Sequence, residues 1–296
     1  MKRILLFIGT NLAVLLVLSI VAQVSGLDTY LAAHGQSLQG LLVWAGLFGF
    51  GGAFISLAMS KMQAKMFMGV QVIAPQSGDA TEQWLLSVVG HHARNAGVGM
   101  PEVGIFDSPE PNAFATGMSR NSALVAVSTG LLQRMNRQEI EAVLGHEMTH
   151  VANGDMVTLA LIQGVVNTFV LFLARVVGNI IDRAVFRSDD GRGIASYLIF
   201  YALQIAFGFL ATPIVMWFSR WREFRADRGG AHLAGTGNMI AALEQLKQVH
   251  EPLPARQFAA FGIADGAIAS GLRRLFMSHP PLDERIAALR SVGPTH

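Results

Sequence analysis

His146, Glu147 and His150 stand at H-E-x-x-H spacing within the run AVLGHEMTHVANGD, Ala142–Asp155. On a helix, residues four apart differ by about 40° in azimuth and lie one turn apart, so the two imidazoles point the same way. Their nitrogens can then approach one ion at about 2.0–2.1 Å, which is half of a zinc site. Glu147 projects about 100° round from His146, close to such an ion but off its coordination axis. That placement suits a general base acting on water. At this chain's frequencies of histidine and glutamate, about 0.01 chance matches are expected over its length.

A working site needs a third ligand. A three-histidine centre would continue as H-E-x-x-H-x-x-G-x-x-H. Asn153 stands where that glycine belongs and Met156 where the last histidine belongs, so the pattern fails. No His or Glu lies between His150 and Arg222. Asp155 is too close on the same helix, and Asp182, Asp189 and Asp190 fall in a loop between two apolar runs. The first glutamate available is Glu223, in SRWREFRADRGGA. By elimination it completes a His₂Glu set for one Zn²⁺ per chain, with a fourth position left open. Asp227, one helical turn after Glu223, or Asp155 is placed to accept the other ring N–H of a ligating histidine. The chain has no cysteine, which excludes disulfides and thiolate ligands.

The elements that must position these residues are unusual. The 296 residues are 52% hydrophobic and only 14% charged, with mean hydropathy +0.42. Soluble domains carry about 25% charged residues, so much of this chain is expected in a lipid bilayer. The net charge of +2, without a basic run interleaved with aromatics, argues against nucleic acid as a partner. Two uncharged apolar runs, about 4–24 and 38–59, make residues 1–60 a pair of transmembrane helices. Two more, about 156–181 and 193–218, make residues 156–218 a hydrophobic hairpin. They contain Arg175, Gln163, Asn167, Asn179 and Gln204, so they either span or pack as a hairpin partly buried in protein. Arg175 must snorkel, pair or face protein. Lys2 and Arg3 before the first run, Lys61 and Lys65 after the second, and Arg220, Arg222, Arg225 and Arg228 after the fourth put the catalytic segments on the cytoplasmic side. The loop Asp182–Arg192 between the third and fourth runs would then lie on the opposite side.

Residues 61–155 and 219–296 are therefore two halves of one protease domain, split by the hairpin. In the first half a helix is expected over about Thr81–Asn95, then strands at VGIF and ALVAV, bounded by turn residues. Asn136 with Glu139 forms a capping box that opens the H-E-x-x-H helix. In the second half, the Ala- and Gly-rich stretch Pro252–Gly271 reads as a mobile segment. The fold class is mainly α with a small β-sheet, with about four transmembrane helices and a zincin-like, gluzincin-type catalytic domain. A non-enzymatic zinc-binding membrane scaffold is disfavoured, because structural zinc sites are closed by four protein ligands. An intramembrane protease is disfavoured, because Arg137, Glu139 and Glu141 make the motif helix too polar for lipid.

Across nearly its whole length the chain resembles the HtpX family, bacterial membrane-integral zinc metalloproteases related to the CAAX prenyl proteases. The residues that carry the resemblance are PNAFATG at Pro111–Gly117, LGHEMTHVANGD, REFRAD and SHPPLDERIAAL, with two apolar runs before them and a hairpin between. The resemblance implies zinc on His146, His150 and Glu223, with Glu147 catalytic. It implies an active site facing the cytoplasm at the bacterial inner membrane, acting on membrane proteins in stress-linked quality control. It also gives meaning to two further residues. The edge strand near Asn112 would pair with substrate backbone, and Asn112 or His279 would face the oxyanion. The adjacent His91 and His92 match nothing in it and read as ordinary surface or core residues. The chemistry is metal-assisted hydrolysis of peptide bonds.

Overall fold

In hydrocarbon every backbone polar group must be satisfied within its own segment, so the apolar runs fold as long helices. The computed structural model describes residues 2–33, 35–186, 194–250 and 275–292, and is mostly helical around one small sheet. Helices α1 (Lys2–Val24), α2 (Leu27–Ala33), α3 (Leu38–Phe67), α7 (Asp155–Ile181) and α8 (Ile194–Ala234) carry the apolar runs. α3, α7 and α8 are each long and apolar enough to cross a bilayer. α1 and α2 meet at 77° and make a fourth candidate if counted as one broken span. A short π-helical turn, Asp182–Phe186, closes α7. α8 does not end where its apolar stretch ends. It continues through Pro213 for 41 residues, so one helix carries both apolar sequence and Glu223. The segment Pro252–Gly271, and the loop after Phe186, lie outside the described residues.

Two compact units result: residues 1–56 with 159–215, and residues 57–158 with 216–296. Leu18, Leu31, Leu42, Ala45, Phe172 and Val176 form the core of the first. Its polar groups inside the apolar runs find local partners. Asn179 Nδ2 donates to Gln36 Oε1 at 2.7 Å. The Arg175 guanidinium lies over the Phe200 ring, 5.9 Å from its centroid, so it faces protein.

The second unit is built on a four-stranded sheet of order β1-β2-β4-β3, from Gln71–Val72, Glu102–Phe106, Ser122–Ser128 and Ala113–Ser119 in that order. β2 and β4 are parallel, pairing Glu102 with Leu124, and the outer pairs are antiparallel. The expected strands VGIF and ALVAV are β2 and β4. β3, in the PNAFATG segment, forms the sheet's free edge. The helix expected at Thr81–Asn95 is α4 (Ala80–Asn95), capped by Asp79, whose side chain accepts from the N–H groups of Thr81 and Glu82. α5 (Thr129–Arg134) follows β4, and α6 (Arg137–Asn153) carries the H-E-x-x-H motif. The Asn136–Glu139 capping box that opens α6 is fully formed. α9 (Thr236–His250) and α10 (Leu282–Val292) complete the unit. Val103, Val125, Val127, Leu144, Met148 and Leu243 lie in one core shared by sheet and helices, which fixes α6 against the sheet. His92 is part of that interior. Its ring Nε2 lies 3.2 Å from the Glu141 carbonyl of α6.

Candidate metal centre

α6 ends at Gly154, which takes a left-handed conformation (φ 62°) open to glycine at little cost. The reversal starts α7 at Asp155, and this brings Asp155 back beneath the motif. Its carboxylate lies 2.7 Å from Nδ1 of His150. The other histidine is held from α8: Asp227 Oδ1 lies 2.9 Å from Nδ1 of His146. With both Nδ1 atoms engaged by carboxylates, each Nε2 is the ring atom left to bind a metal. They face each other at 3.2 Å.

Glu223 closes the triangle. Its Oε2 is 3.5 Å from His146 Nε2 and its Oε1 is 3.3 Å from His150 Nε2. His146, His150 and Glu223 are all buried, and one ligand atom from each lies within 4.8 Å of the others. Glu223 Oε1 makes no hydrogen bond although it is buried. Two imidazole nitrogens and a carboxylate converging in this way are the donor set of a catalytic zinc-type site, and Asp227 and Asp155 already orient the two rings. The residues therefore fit a metal. The electrostatics agree. Burial disfavours charge on His146, yet its hydrogen bonds to Asp227 and Glu223 prevail and raise it to about 9. Burial likewise opposes charge on His150, but Asp155 and Glu223 raise it. A cluster that holds protons this firmly has the negative field a divalent cation needs.

The approach of α6 and α8 depends on glycine. A Cβ at Gly230 would lie 2.9 Å from the backbone N and 3.1 Å from the Cα of His146 itself. Arg285 then locks α8 from α10, with its Nε 2.8 Å and its terminal nitrogen 2.5 Å from the two oxygens of Asp227. Arg285 was not visible as a functional residue in the sequence. The available signal was weak: it precedes Ile286 and Leu289, both buried, so a cation sits beside the apolar face of α10.

A cleft of about 560 Å³ opens over the cluster. Glu147 lines it beside His146 and Glu223. Asn112 enters it where β3 begins, exposed, with its backbone pinned on both sides by Ser128. His279 enters from the segment before α10, 59% exposed, with Nδ1 2.8 Å from Glu223 Oε2. The structure thus brings together His146, Glu147, His150, Glu223, Asp155, Asp227, Asn112 and His279. His279 touches the carboxylate of Glu223, a contact the sequence did not suggest.

Hydrolysis of polypeptide by a metallopeptidase, in a chain that crosses a membrane, is the class of activity this combination defines. Comparison with known proteins narrows it. The pattern of peptidase family M48 matches residues 79–292. "Protease HtpX homolog" of Thiobacillus denitrificans is 61% identical over 293 residues, covering 99% of this chain and 100% of that protein. "Protease HtpX" of Thioalkalivibrio sulfidiphilus is 62% identical over 296 residues, covering 99% of each. The crystal structure of S. mikatae Ste24p shares the fold, with TM-score 0.61 and 18% identity over 96% of this chain and 67% of that one. The chain belongs to peptidase family M48. It is a multi-pass membrane metalloprotease that acts on protein substrates.

Proposed function

We propose that the chain is a zinc-dependent endopeptidase holding one Zn²⁺ on His146, His150 and Glu223. It works at the bacterial inner membrane with its catalytic unit in the cytoplasm and removes damaged membrane proteins. The observation that carries the reading is the buried convergence of those three side chains beside Glu147 at the floor of an open cleft. The cytoplasmic side follows from the Lys and Arg that flank the apolar runs. Membrane-protein substrates and quality control rest on the resemblance to proteases named HtpX.

When bound, the metal supplies a Lewis acid that polarises the scissile carbonyl and eases loss of a proton from water. Glu147 takes that proton as the water attacks, and delivers it to the leaving amine. Asp155 and Asp227 keep both histidines in the tautomer that aims Nε2 at the centre. Asn112 and His279 are placed to donate to the carbonyl oxygen as it becomes negative. His279 has already engaged Nδ1 with Glu223, which leaves Nε2 for that role. The free edge of β3 accepts an extended substrate through main-chain hydrogen bonds, which tolerates varied sequence.

The test is cleavage of an unfolded protein such as casein by purified wild type and Glu147→Gln. Wild type should cut and lose activity to a chelator, recovering with zinc. Glu147→Gln should fold and not cut. Undiminished cleavage by Glu147→Gln would remove Glu147 from the mechanism.

A further inference from the structure

α8 carries a second set of residues on the side away from the metal cluster. Trp217, Trp221, Arg225 and Arg228 are spaced by four, four and three residues, so at about 100° per residue they share one helix face. Glu223 lies about 200° round from both Trp221 and Arg225. Exposure follows the same division: Trp217 is 64% exposed and Trp221 49%, against 0% for Glu223. The Arg225 guanidinium lies over the Trp221 ring, 5.0 Å from its centroid.

The arginine neighbours of Arg225 and Arg228 on α8 have protein partners for their guanidinium groups. Arg220 donates to the carbonyls of Leu275 and Met277, and Arg222 approaches Glu223 at 3.8 Å. Among the described residues no carboxylate pairs with Arg225 or Arg228. The sequence of α8 before Trp217 is apolar and long enough to span a bilayer. Exposed indoles at the end of such a run mark the boundary between hydrocarbon and water. Arg225 lies about 6 Å further along the axis, at the depth of phosphates.

We propose that this face of α8 is a binding site for an anionic phospholipid. Arg225 and Arg228 hold the headgroup phosphate, and Trp217 and Trp221 pack against the glycerol and upper acyl chains. Two unneutralised guanidinium groups select a net negative lipid over a zwitterionic one. A choline group would find the face of Trp221 already covered by Arg225. The site is continuous with the apolar stretch of the same helix, so a bilayer lipid reaches it without leaving the membrane.

The placement has a consequence for cleavage. Glu223 is only about 3 Å along the axis from Trp221 and from Arg225, across a helix about 10–12 Å wide. A lipid held on the outer face therefore sets the metal cluster at headgroup level. Peptide bonds just outside a substrate's spans are then the ones within reach.

The experiment is native mass spectrometry of the full-length protein in detergent, titrated with phosphatidylglycerol and with phosphatidylcholine. Wild type should retain phosphatidylglycerol preferentially. Arg225→Gln with Arg228→Gln should lose that preference by roughly thirtyfold, about fivefold for each arginine. Arg225→Lys with Arg228→Lys should keep most of it, and so should Arg290→Gln, which removes an exposed arginine elsewhere. Equal retention by wild type and the double Gln variant would overturn the proposal. So would an equal loss in Arg290→Gln. Displacement of the lipid by inorganic phosphate would also overturn it, since the site would then be a general anion site and not a lipid site.

Discussion

His146 and His150 look alike in the motif but are held by different carboxylates, with different energetic consequences. Among the described residues, the Asp155 side chain, at the start of α7, bonds only His150. Asp227 bonds His146 and also the buried Arg285. Asp155→Asn should therefore weaken metal binding by about 10–100-fold and leave the fold intact. Asp227→Ala should do the same to the metal and also destabilise the protein by about 3–5 kcal/mol, because Arg285 is left as an unpaired buried charge. Metal titration and thermal melting of the two variants distinguish these outcomes; equal melting temperatures would contradict the second. The motif and Glu223 were readable from the sequence because ligand chemistry restricts residue types and a helix restricts spacing. The preference of Asp227 for His146 and Asp155 for His150 was not readable, since it depends on how α6 and α8 cross. Arg285 was hidden for a similar reason: its partner is 58 positions away in sequence, and no local pattern connects them.

At the level of elements, the site exists because α6 and α8 touch nearly backbone to backbone. A Cβ at Gly229 would meet the Thr149 side chain, but one at Gly230 would meet the backbone N and Cα of His146, which cannot swing aside. Gly230→Ala should cost about 1–3 kcal/mol through overpacking and lower metal occupancy, measured by melting and by metal analysis. Unchanged occupancy would mean the helices can separate without disturbing the ligands. The capping box and the strands β2 and β4 could be recognised because each has a strong local signature. β3 was expected only through the resemblance, because Ala113, Ala115, Gly117 and Ser119 alternate with Phe114, Thr116 and Met118 and blur its local signature; β4 offers it a partner. The continuity of α8 was also concealed. The change from apolar to charged sequence after Phe218, with Pro213 just before it, resembles a boundary. The backbone passes through both, and proline is tolerated in spanning helices where neighbouring groups satisfy the freed carbonyl.

For the whole molecule, the apolar insertion between the two halves of the catalytic unit makes topology part of the chemistry. Residues on α6 and Glu223 on α8 meet only if the chain returns to the side it left. Reporter fusions after Lys65 and after Arg228 should both report cytoplasm, and a periplasmic signal at either would contradict the Lys/Arg reading. The central claim is that His146, His150 and Glu223 hold one zinc ion while Glu147 acts on water without holding the metal. Elemental analysis of full-length wild type, Glu147→Gln and Glu223→Ala, purified side by side, tests it most directly. One zinc per chain is expected in wild type and in Glu147→Gln, and little in Glu223→Ala, because two histidines alone bind weakly. Stoichiometric zinc in Glu223→Ala, or its loss from Glu147→Gln, would contradict the assignment.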